Sequence, residues 1–213
     1  RNESDINILE AGLFFRLDAS NVLKRNIASI IMPIGMDHKD FLKKGTIDEI
    51  VYEKCSHLLG NSMIIVSEQK DHVLKKIKKN INKNSSKKII FSKDYSYKKI
   101  KKKFVYRDNF GQMNLPLPNL HGNFQVSNVS SAIATARNLK KFNITEDNIS
   151  KAIRKIRSEG RLQYITKGKL RKLVSKNNKI IIDGAHNTLA ALEIRKYLKT
   201  LIPKRKIIMV LGM

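Results

Sequence analysis

Residues 179–188, KIIIDGAHNT, join a run of β-branched side chains to groups that could do chemistry. Asp183, His186 and Asn187 offer a carboxylate, an imidazole and an amide, with Gly184 between them, and a helix-like segment follows. A strand that ends in polar residues before a helix delivers those side chains to the carboxyl edge of a parallel sheet, where ligands bind in open α/β folds. The stretch therefore predicts part of a ligand-binding site.

Further polar clusters lie at the predicted ends of strands or starts of helices. They are Glu10 with RLDASN (residues 16–21), IGMDH (34–38), Glu53 with Lys54, Asn128, and EGR (159–161). Taken singly, each has an ordinary structural explanation as a surface acid, a helix cap, a solvated lysine or a turn. Their order along the chain is more informative than any one of them.

The hydrophobic spacing predicts strands that alternate with helices over the first three quarters of the chain. Predicted strands are INILEAG, IASIIMPIG, SMIIVSE, KKIIFSKDY and KKFVYRDN, and predicted helices are TIDEIVYEKCSHLL, KDHVLKKIKKNINK, VSNVSSAIATARNLKKF and TEDNISKAIRKI. Thr145 is the expected N-cap of the last helix. The prolines of LPLPNLHGNFQ predict an extended loop, because proline excludes helix and keeps the preceding residue extended.

After SEGRLQYI the pattern starts again with strand KIIIDGAHN, helix TLAALEIRKYLKTLI and strand KRKIIMVLG. A strand, helix and strand in this order predict one βαβ unit with two parallel strands. We therefore predict a domain boundary at residues 164–168, which gives one domain over residues 1–164 and a second over 165–213.

Composition limits the classes of function. The 213 residues include 43 basic and 18 acidic side chains, a net charge of +25, which suggests an anionic partner. The excess is mostly lysine in runs with asparagine and isoleucine, with few aromatic side chains to stack on bases, so we expect no specific nucleic acid. The sequence contains no run of about 18 apolar residues, so no membrane-spanning helix is predicted. The single Cys55 suits a reducing, cytoplasmic compartment.

Read together, the clusters resemble the folylpolyglutamate synthase/dihydrofolate synthase family, within the Mur ligase superfamily. The family's E-V-G-L-G-G-R-L-D-A-T-N is similar to EAGLFFRLDASN, I-G-x-D-H to IGMDH, and E-I-A-x-E-K-A-G-I to DEIVYEKCSHL. L-P-L-P-L-x-G-x-H-Q-x-x-N is similar to LPLPNLHGNFQVSN, P-G-R-L-Q to EGRLQ, and D-G-A-H-N-P to DGAHNT. Six collinear blocks cover essentially the whole chain.

The resemblance implies an α/β fold: a Mur-ligase-type central ATPase domain with a mostly parallel sheet and helices on both faces, and the start of a Rossmann-like C-terminal domain. It implies that Glu10 and His38 bind Mg²⁺ near the ATP phosphates. Lys54 matches a lysine that such ligases carry as a carbamate, a candidate ligand for a second Mg²⁺. Lys54 and His38 are the candidate catalytic residues, and Leu17 and Asp18 match a loop that touches the pterin-bearing substrate.

The same resemblance implies a nucleotide site. Asn128 matches a contact to adenine, Arg161 a contact to phosphate and Asp183 a contact near the ribose, while His186 matches a histidine beside the same nucleotide. The implied substrates are ATP, L-glutamate, and dihydropteroate or folate, with Mg²⁺ as cofactor, in a cytoplasmic monomer. An acyl phosphate made from ATP would be attacked by the amine of glutamate.

Two departures from the family pattern affect these expectations. A Gly-rich phosphate-binding loop is absent from this sequence, so we expect a fragment that is inactive alone and that also lacks the end of the C-terminal domain. Phe14 and Phe15 replace the Gly-Gly before R-L-D, which either fills substrate space or adds to the core.

Two alternatives stay open. The scaffold could serve a Mur-type ligase with a non-pterin acceptor, or a degenerate nucleotide-binding protein without catalysis.

Overall fold

The computed structural model describes residues 3–83, 86–202 and 206–212. The chain forms two compact units, Arg1–Phe91 and Ser92–Met213. This division lies earlier in the chain than the boundary expected at residues 164–168, which stays a prediction about the domains of the parent protein.

The first unit is built on a parallel sheet. Its elements are β1 (Ala28–Ile31), α1 (Ile47–Cys55), β2 (Met63–Val66), α2 (Asp71–Ile81) and β3 (Lys87–Ile90). The strand order is β1-β2-β3, and the register aligns Ile31 with Val66 and Val66 with Ile90. A helix connects each pair of neighbouring strands, as parallel pairing requires. These elements confirm the predicted alternation of strands and helices.

One face of this sheet and the two helices enclose the core of the first unit. Ile64 and Val66 of β2 pack in one cluster with residues of both helices, among them Val51 of α1 and Ile77 of α2. Cys55 ends α1 inside the same cluster, and burial raises the pKa of its thiol to about 12. The core therefore fixes the position of α1, including its last turn.

Two amphipathic helices begin at a threonine whose side chain caps the helix N-terminus. The Thr46 hydroxyl accepts a hydrogen bond from the Glu49 amide, and the Glu49 carboxylate accepts one from the Thr46 amide, so α1 starts with a capping box. Thr145 and Asn148 form the same arrangement at the start of α4 (Glu146–Lys155). The predicted cap at Thr145 is confirmed.

The second unit opens with an antiparallel sheet of β4 (Tyr95–Ile100), β5 (Lys103–Asp108) and β6 (Gly111–Pro116). Helix α3 (Phe124–Arg137) packs on β4 and β5, and α4 packs on β6. Strand β6 takes up the first residues of the predicted LPLPNLHGNFQ loop and α3 takes up its last two, so that expectation is wrong for Leu115, Pro116, Phe124 and Gln125. Proline is tolerated there because β6 is an edge strand and Pro116 is its last residue.

Two contacts tie α3 to this sheet. The hydroxyls of Tyr95 and Ser131 are 3.0 Å apart in the interior. Arg137 Nε donates to Asp108 Oδ2 at 2.8 Å and its Nη2 donates to Oδ1 at 3.1 Å, with both side chains largely buried. Paired, bidentate contacts of this kind are the form in which charge is tolerated inside a protein. These contacts thus fix the position of α3 on the sheet.

The remaining elements are β7 (Gln163–Tyr164), α5 (Lys169–Lys172), β8 (Ile181–Ile182) and α6 (Thr188–Lys199). Strand β8 pairs antiparallel with β7, and the part of KRKIIMVLG that the structure describes, residues 206–212, holds no strand. The predicted parallel βαβ unit is therefore wrong for the described residues, and residues 204 and 205 of that segment lie outside them. The hydroxyls of Tyr164 and Tyr197 are 2.7 Å apart and join β7 to α6.

The predicted strand INILEAG is also wrong. Residues 6–12 are described and are neither helix nor strand, and the Ile8 side chain is 90% exposed. A run of β-forming residues becomes a strand only when a neighbour supplies hydrogen bonds and packing.

Among the described residues, no helix is both long and apolar enough to span a membrane.

We predict that Ile77→Ala destabilises the chain by about 2–5 kcal/mol, because it leaves a cavity where α2 meets the sheet. Ile77 is fully buried, whereas Lys79 on the same helix is exposed. Urea unfolding followed by circular dichroism measures the change, with Lys79→Ala as the matched control, expected within about 0.5 kcal/mol of the unaltered chain. Equal unfolding midpoints for the two variants would contradict the position of Ile77 in the core.

Candidate functional site

In the first unit, the candidate site is built on residues 10–22, here called the 10–22 loop, which precede β1 and end in a 3₁₀ helix (Ala19–Val22). Asp18 organises this loop: its Oδ2 accepts a hydrogen bond from the Gly12 amide at 2.8 Å, and its Oδ1 accepts one from the Ser20 amide at 2.8 Å. The Ser20 hydroxyl and these amides hold the pKa of the Asp18 carboxyl below its ordinary value. Leu17, the preceding residue, is 81% exposed. The two predicted substrate contacts therefore lie at the surface of an ordered loop.

Lys54 extends from the last turn of α1 to the same loop. Its Nζ donates to the Leu13 carbonyl oxygen at 3.1 Å and lies 5.6 Å from the centre of the Phe14 ring. Burial lowers the pKa of the Lys54 ammonium, and the negative charge of Asp37 opposes that shift. The lysine is thus a half-buried amine whose protonated form is stabilised by a carbonyl, a ring face and a carboxylate.

The IGMDH segment brings His38 next to the Phe14 ring. The His38 backbone is left-handed (φ 50°, ψ 38°), and its amide donates to Asp37 Oδ1 at 2.9 Å. The ring centres of Phe14 and His38 are 6.1 Å apart, in an edge-to-face arrangement. Phe14 therefore contacts both predicted catalytic side chains, His38 and Lys54, and also packs against the core of the first unit.

Asp37 is a candidate that the sequence alone did not single out as a ligand. Its Oδ2 is 3.5 Å from His38 Nε2, so a carboxylate oxygen and an imidazole nitrogen lie side by side. The signal was present in IGMDH, where an acid precedes the histidine directly. Glu10, the other predicted ligand, is exposed at the start of the 10–22 loop.

These residues fit a hard divalent cation in part. Mg²⁺ prefers oxygen donors, and Asp37 supplies one beside the nitrogen of His38. Among the residues that the structure describes, Glu10 does not join Asp37 and His38 in one cluster of ligand atoms. A protonated Lys54 amine has no lone pair and cannot bind a cation. Carbamylation would give Lys54 oxygen donors, and the lowered pKa favours the neutral amine that reacts with carbon dioxide.

In the second unit, the structure brings EGR and DGAHN together. Asp183 Oδ2 accepts a hydrogen bond from the Leu162 amide at 2.7 Å, and the Gly184 amide donates to the Gly160 carbonyl at 2.8 Å. A Cβ built on Gly184 would lie 3.6 Å from Arg161 Nη1. The predicted phosphate and ribose contacts, Arg161 and Asp183, are thus neighbours at one corner, and the Arg161 side chain is exposed there.

The remaining predicted nucleotide contacts also lie in the second unit. His186 is exposed, with its Nδ1 2.9 Å from the Gly184 carbonyl oxygen, and Asn187 caps α6 by accepting from the Ala190 amide. Asn128 is half-buried on α3, where its Nδ2 donates to Gln125 Oε1 at 3.2 Å.

Residues 1–136 match the family described as the Mur ligase middle domain. That match covers more than half of the 213 residues. The chain belongs to the Mur ligase middle domain family.

Three known proteins illustrate what this chain resembles. The dihydrofolate synthase/folylpolyglutamate synthase of Buchnera aphidicola subsp. Acyrthosiphon pisum is 30% identical over 217 residues, covering 100% of this chain and 47% of that protein. The structure of E. coli FolC in complex with DHPP and ADP has a TM-score of 0.75 at 25% identity, covering 92% of this chain and 43% of the other.

The third relative is a bifunctional folylpolyglutamate synthase/dihydrofolate synthase from Yersinia pestis, solved with AMPPNP and a Mn ion. It has a TM-score of 0.74 at 22% identity over 90% of this chain and 42% of its own, a likeness of fold. The chain spans about half the length of the curated relatives it matches, 45% and 47% of two of them.

We predict that Lys54 loses its proton below the ordinary lysine pKa of about 10.4, because burial disfavours its charge. Between the lowered pKa and about 10.4, the unfolded chain binds more protons than the folded one, so the free energy of unfolding rises with pH. Lys54→Met keeps the apolar stem and removes this rise, which the difference between the two pH profiles of unfolding reports. Nitrogen NMR titration of the Lys54 amine gives the direct measurement, and a pKa at or above the ordinary value would contradict the burial argument.

Proposed function

We propose that the full-length protein containing this chain is an ATP-dependent ligase that joins L-glutamate to dihydropteroate, to folate, or to both, in folate biosynthesis. The main support is a chain-long match to a dihydrofolate synthase/folylpolyglutamate synthase, in which all 213 residues align. The contacts of Lys54 with Phe14 and of Phe14 with His38, and the approach of Arg161 to the Asp183 turn, support the same proposal within each unit.

In this proposal, residues 1–164 belong to the central ATP-binding domain and residues 165–213 begin a Rossmann-like ligase domain. Mg²⁺ is the proposed divalent cation, and the protein acts as a monomer in the cytoplasm, where a single cysteine suits reducing conditions.

The proposed chemistry follows from the electrophile that is required. A carboxylate is a poor electrophile, so the γ-phosphoryl group of ATP is first transferred to the acceptor's carboxylate, forming an acyl phosphate and ADP. The amine of glutamate then attacks the acyl carbon, and the tetrahedral intermediate expels phosphate to leave an amide. A divalent cation, when bound, neutralises negative charge on the phosphates.

The chain's own residues have distinct proposed tasks. Arg161 presents a permanently charged, forked donor to phosphate oxygens. Asp183 lies beside Arg161, and its two carboxylate oxygens each accept one backbone hydrogen bond, from the Leu162 and Ala185 amides. A carboxylate has about four lone-pair directions, so Asp183 can also accept from ribose hydroxyls. Leu17 and Asp18 contact the pterin-bearing acceptor.

The remaining assignments complete the proposed site. Asn128 contacts adenine, and His186 lies beside the nucleotide. Asp37, Glu10 and His38 hold the divalent cation, joined by Lys54 when it is a carbamate.

The test is phosphate release by the full-length protein with ATP, Mg²⁺, L-glutamate and each pterin acceptor in turn. We expect release that depends on both glutamate and a pterin acceptor. The variants His38→Ala and Lys54→Ala each lose several kcal/mol of transition-state stabilisation, about 100-fold or more in kcat. Lys79→Ala, an exposed lysine on α2, is the control and keeps full activity.

Two outcomes would contradict the proposal. Activity only with a non-pterin carboxylate would instead identify a Mur-type ligase with another acceptor. Nucleotide binding without turnover for any acceptor would identify a binding protein that lacks catalysis.

A further inference from the structure

The last turn of α1 is joined to the 10–22 loop by consecutive residues. The Arg16 amide donates to the Glu53 carbonyl oxygen at 2.9 Å, and Arg16 Nε donates to Glu53 Oε2 at 2.8 Å. The Arg16 guanidinium also lies 5.9 Å from the centre of the Tyr52 ring, while Lys54 binds the Leu13 carbonyl. Glu53 thus accepts two hydrogen bonds from Arg16 of the loop, one at its backbone carbonyl and one at its side chain.

The position of Arg16 satisfies two needs of a helix terminus. The last four carbonyl groups of a helix lack partners within it, and the Arg16 amide supplies one for Glu53. The carboxyl end of a helix also attracts positive charge, which the guanidinium provides. The side chains of Arg16 and Glu53 are 31% and 17% exposed, so water screens this ion pair less than a pair on the open surface.

Arg16 in turn supports the residues that follow it. Its carbonyl oxygen accepts a hydrogen bond from Asn21 Nδ2 at 3.0 Å, on the far side of the turn that contains Leu17 and Asp18. The Asp18 amide donates to the Phe15 carbonyl at 3.2 Å, which closes that turn from the other side. A displacement of Arg16 is therefore transmitted to Leu17 and Asp18 through the backbone and through Asn21.

We propose that Glu53 is a positioning residue that acts through Arg16 to hold Leu17 and Asp18 in place for the pterin-bearing acceptor. This inference rests on the proposed function, since it assigns Glu53 to the acceptor side of that same site. Glu53 makes no contact with the acceptor itself. It sets the loop geometry before the acceptor arrives, which reduces the ordering that binding requires.

The kinetic test uses the full-length protein and separates the two substrates. Glu53→Ala raises the acceptor KM about tenfold, while kcat and the KM for ATP stay within about twofold, the pattern of lost binding without lost chemistry. Glu53→Gln keeps an oxygen that can accept from Arg16 Nε, so it has a smaller effect. Adding Glu53→Ala to Arg16→Ala causes no further rise, because Glu53 acts through Arg16.

Asp48→Asn is the matched control, a carboxylate-to-amide change on the same helix whose side chain pairs with Lys76 rather than with the loop. It leaves all three kinetic parameters unchanged. The proposal is overturned if Glu53→Ala changes the KM for ATP and the acceptor KM equally, or if its effect adds to that of Arg16→Ala.

Hydrogen exchange separates failure of this inference from failure of the proposed function. In Glu53→Ala, the Arg16 and Asp18 amides exchange at least about fivefold faster than in the unaltered protein, while the α2 amides do not change. This result is independent of any ligase activity. Unchanged exchange in the loop refutes the role of Glu53 even in an active enzyme, whereas faster exchange in a protein without ligase activity refutes the acceptor assignment.

Discussion

The carboxyl end of α1 is the constraint on which the candidate site of the first unit depends. A helix that ends in the middle of a fold leaves carbonyl groups without intrahelical partners, and burying them unpaired is costly. Here an amide of the 10–22 loop, at Arg16, supplies one partner, and Lys54 on the same turn binds a carbonyl of that loop in exchange. The loop is ordered because helix and loop satisfy each other's backbone groups.

This constraint depends on the packing of α1 against the sheet. Val51 and Cys55 are buried with Ile64 and Val66 of the central strand, so the helix is held by apolar contacts on its inner side. Interiors are packed as densely as organic crystals, and they transmit rather than absorb displacement. Residues 52–54, the outer side of the last turn, are then presented in a fixed orientation. The parallel sheet thus contributes to the site without donating a side chain to it.

The sequence predicts what depends on local patterns. The spacing of Ile47, Ile50 and Val51 predicts α1, and Thr145 predicts the start of α4, because periodicity and capping are properties of a few neighbouring residues. Pairing partners are not local. The residues around Val210, which is 92% exposed, have strand-forming composition but no strand pairs with them among the described residues. Strand β8 instead pairs with β7, which lies earlier in the chain and runs in the opposite direction.

The same difference holds for the candidate site: the sequence predicts the types of its residues but not the contacts between them. The motifs single out Lys54, His38, Arg161 and Asp183 by type and order, and the structure brings Arg161 beside the Asp183 turn. Spacing alone could not find that the ring of Phe14 lies between Lys54 and His38, since that requires the loop to fold back on α1. The contact between Asp37 and the His38 ring occurs where the His38 backbone is left-handed, a conformation that the residue types do not predict.

Phe14 shows how a departure from a family pattern can be both structural and chemical. Its ring packs against the apolar core, so it adds to the stability of the first unit as a core residue does. The Lys54 amine lies 5.6 Å from the centre of the same ring, a contact that favours the charged form of the amine. The pKa of Lys54 is nevertheless lowered, because burial of the amine outweighs the attraction of Asp37. Glycine at this position would provide neither the packing nor the ring contact.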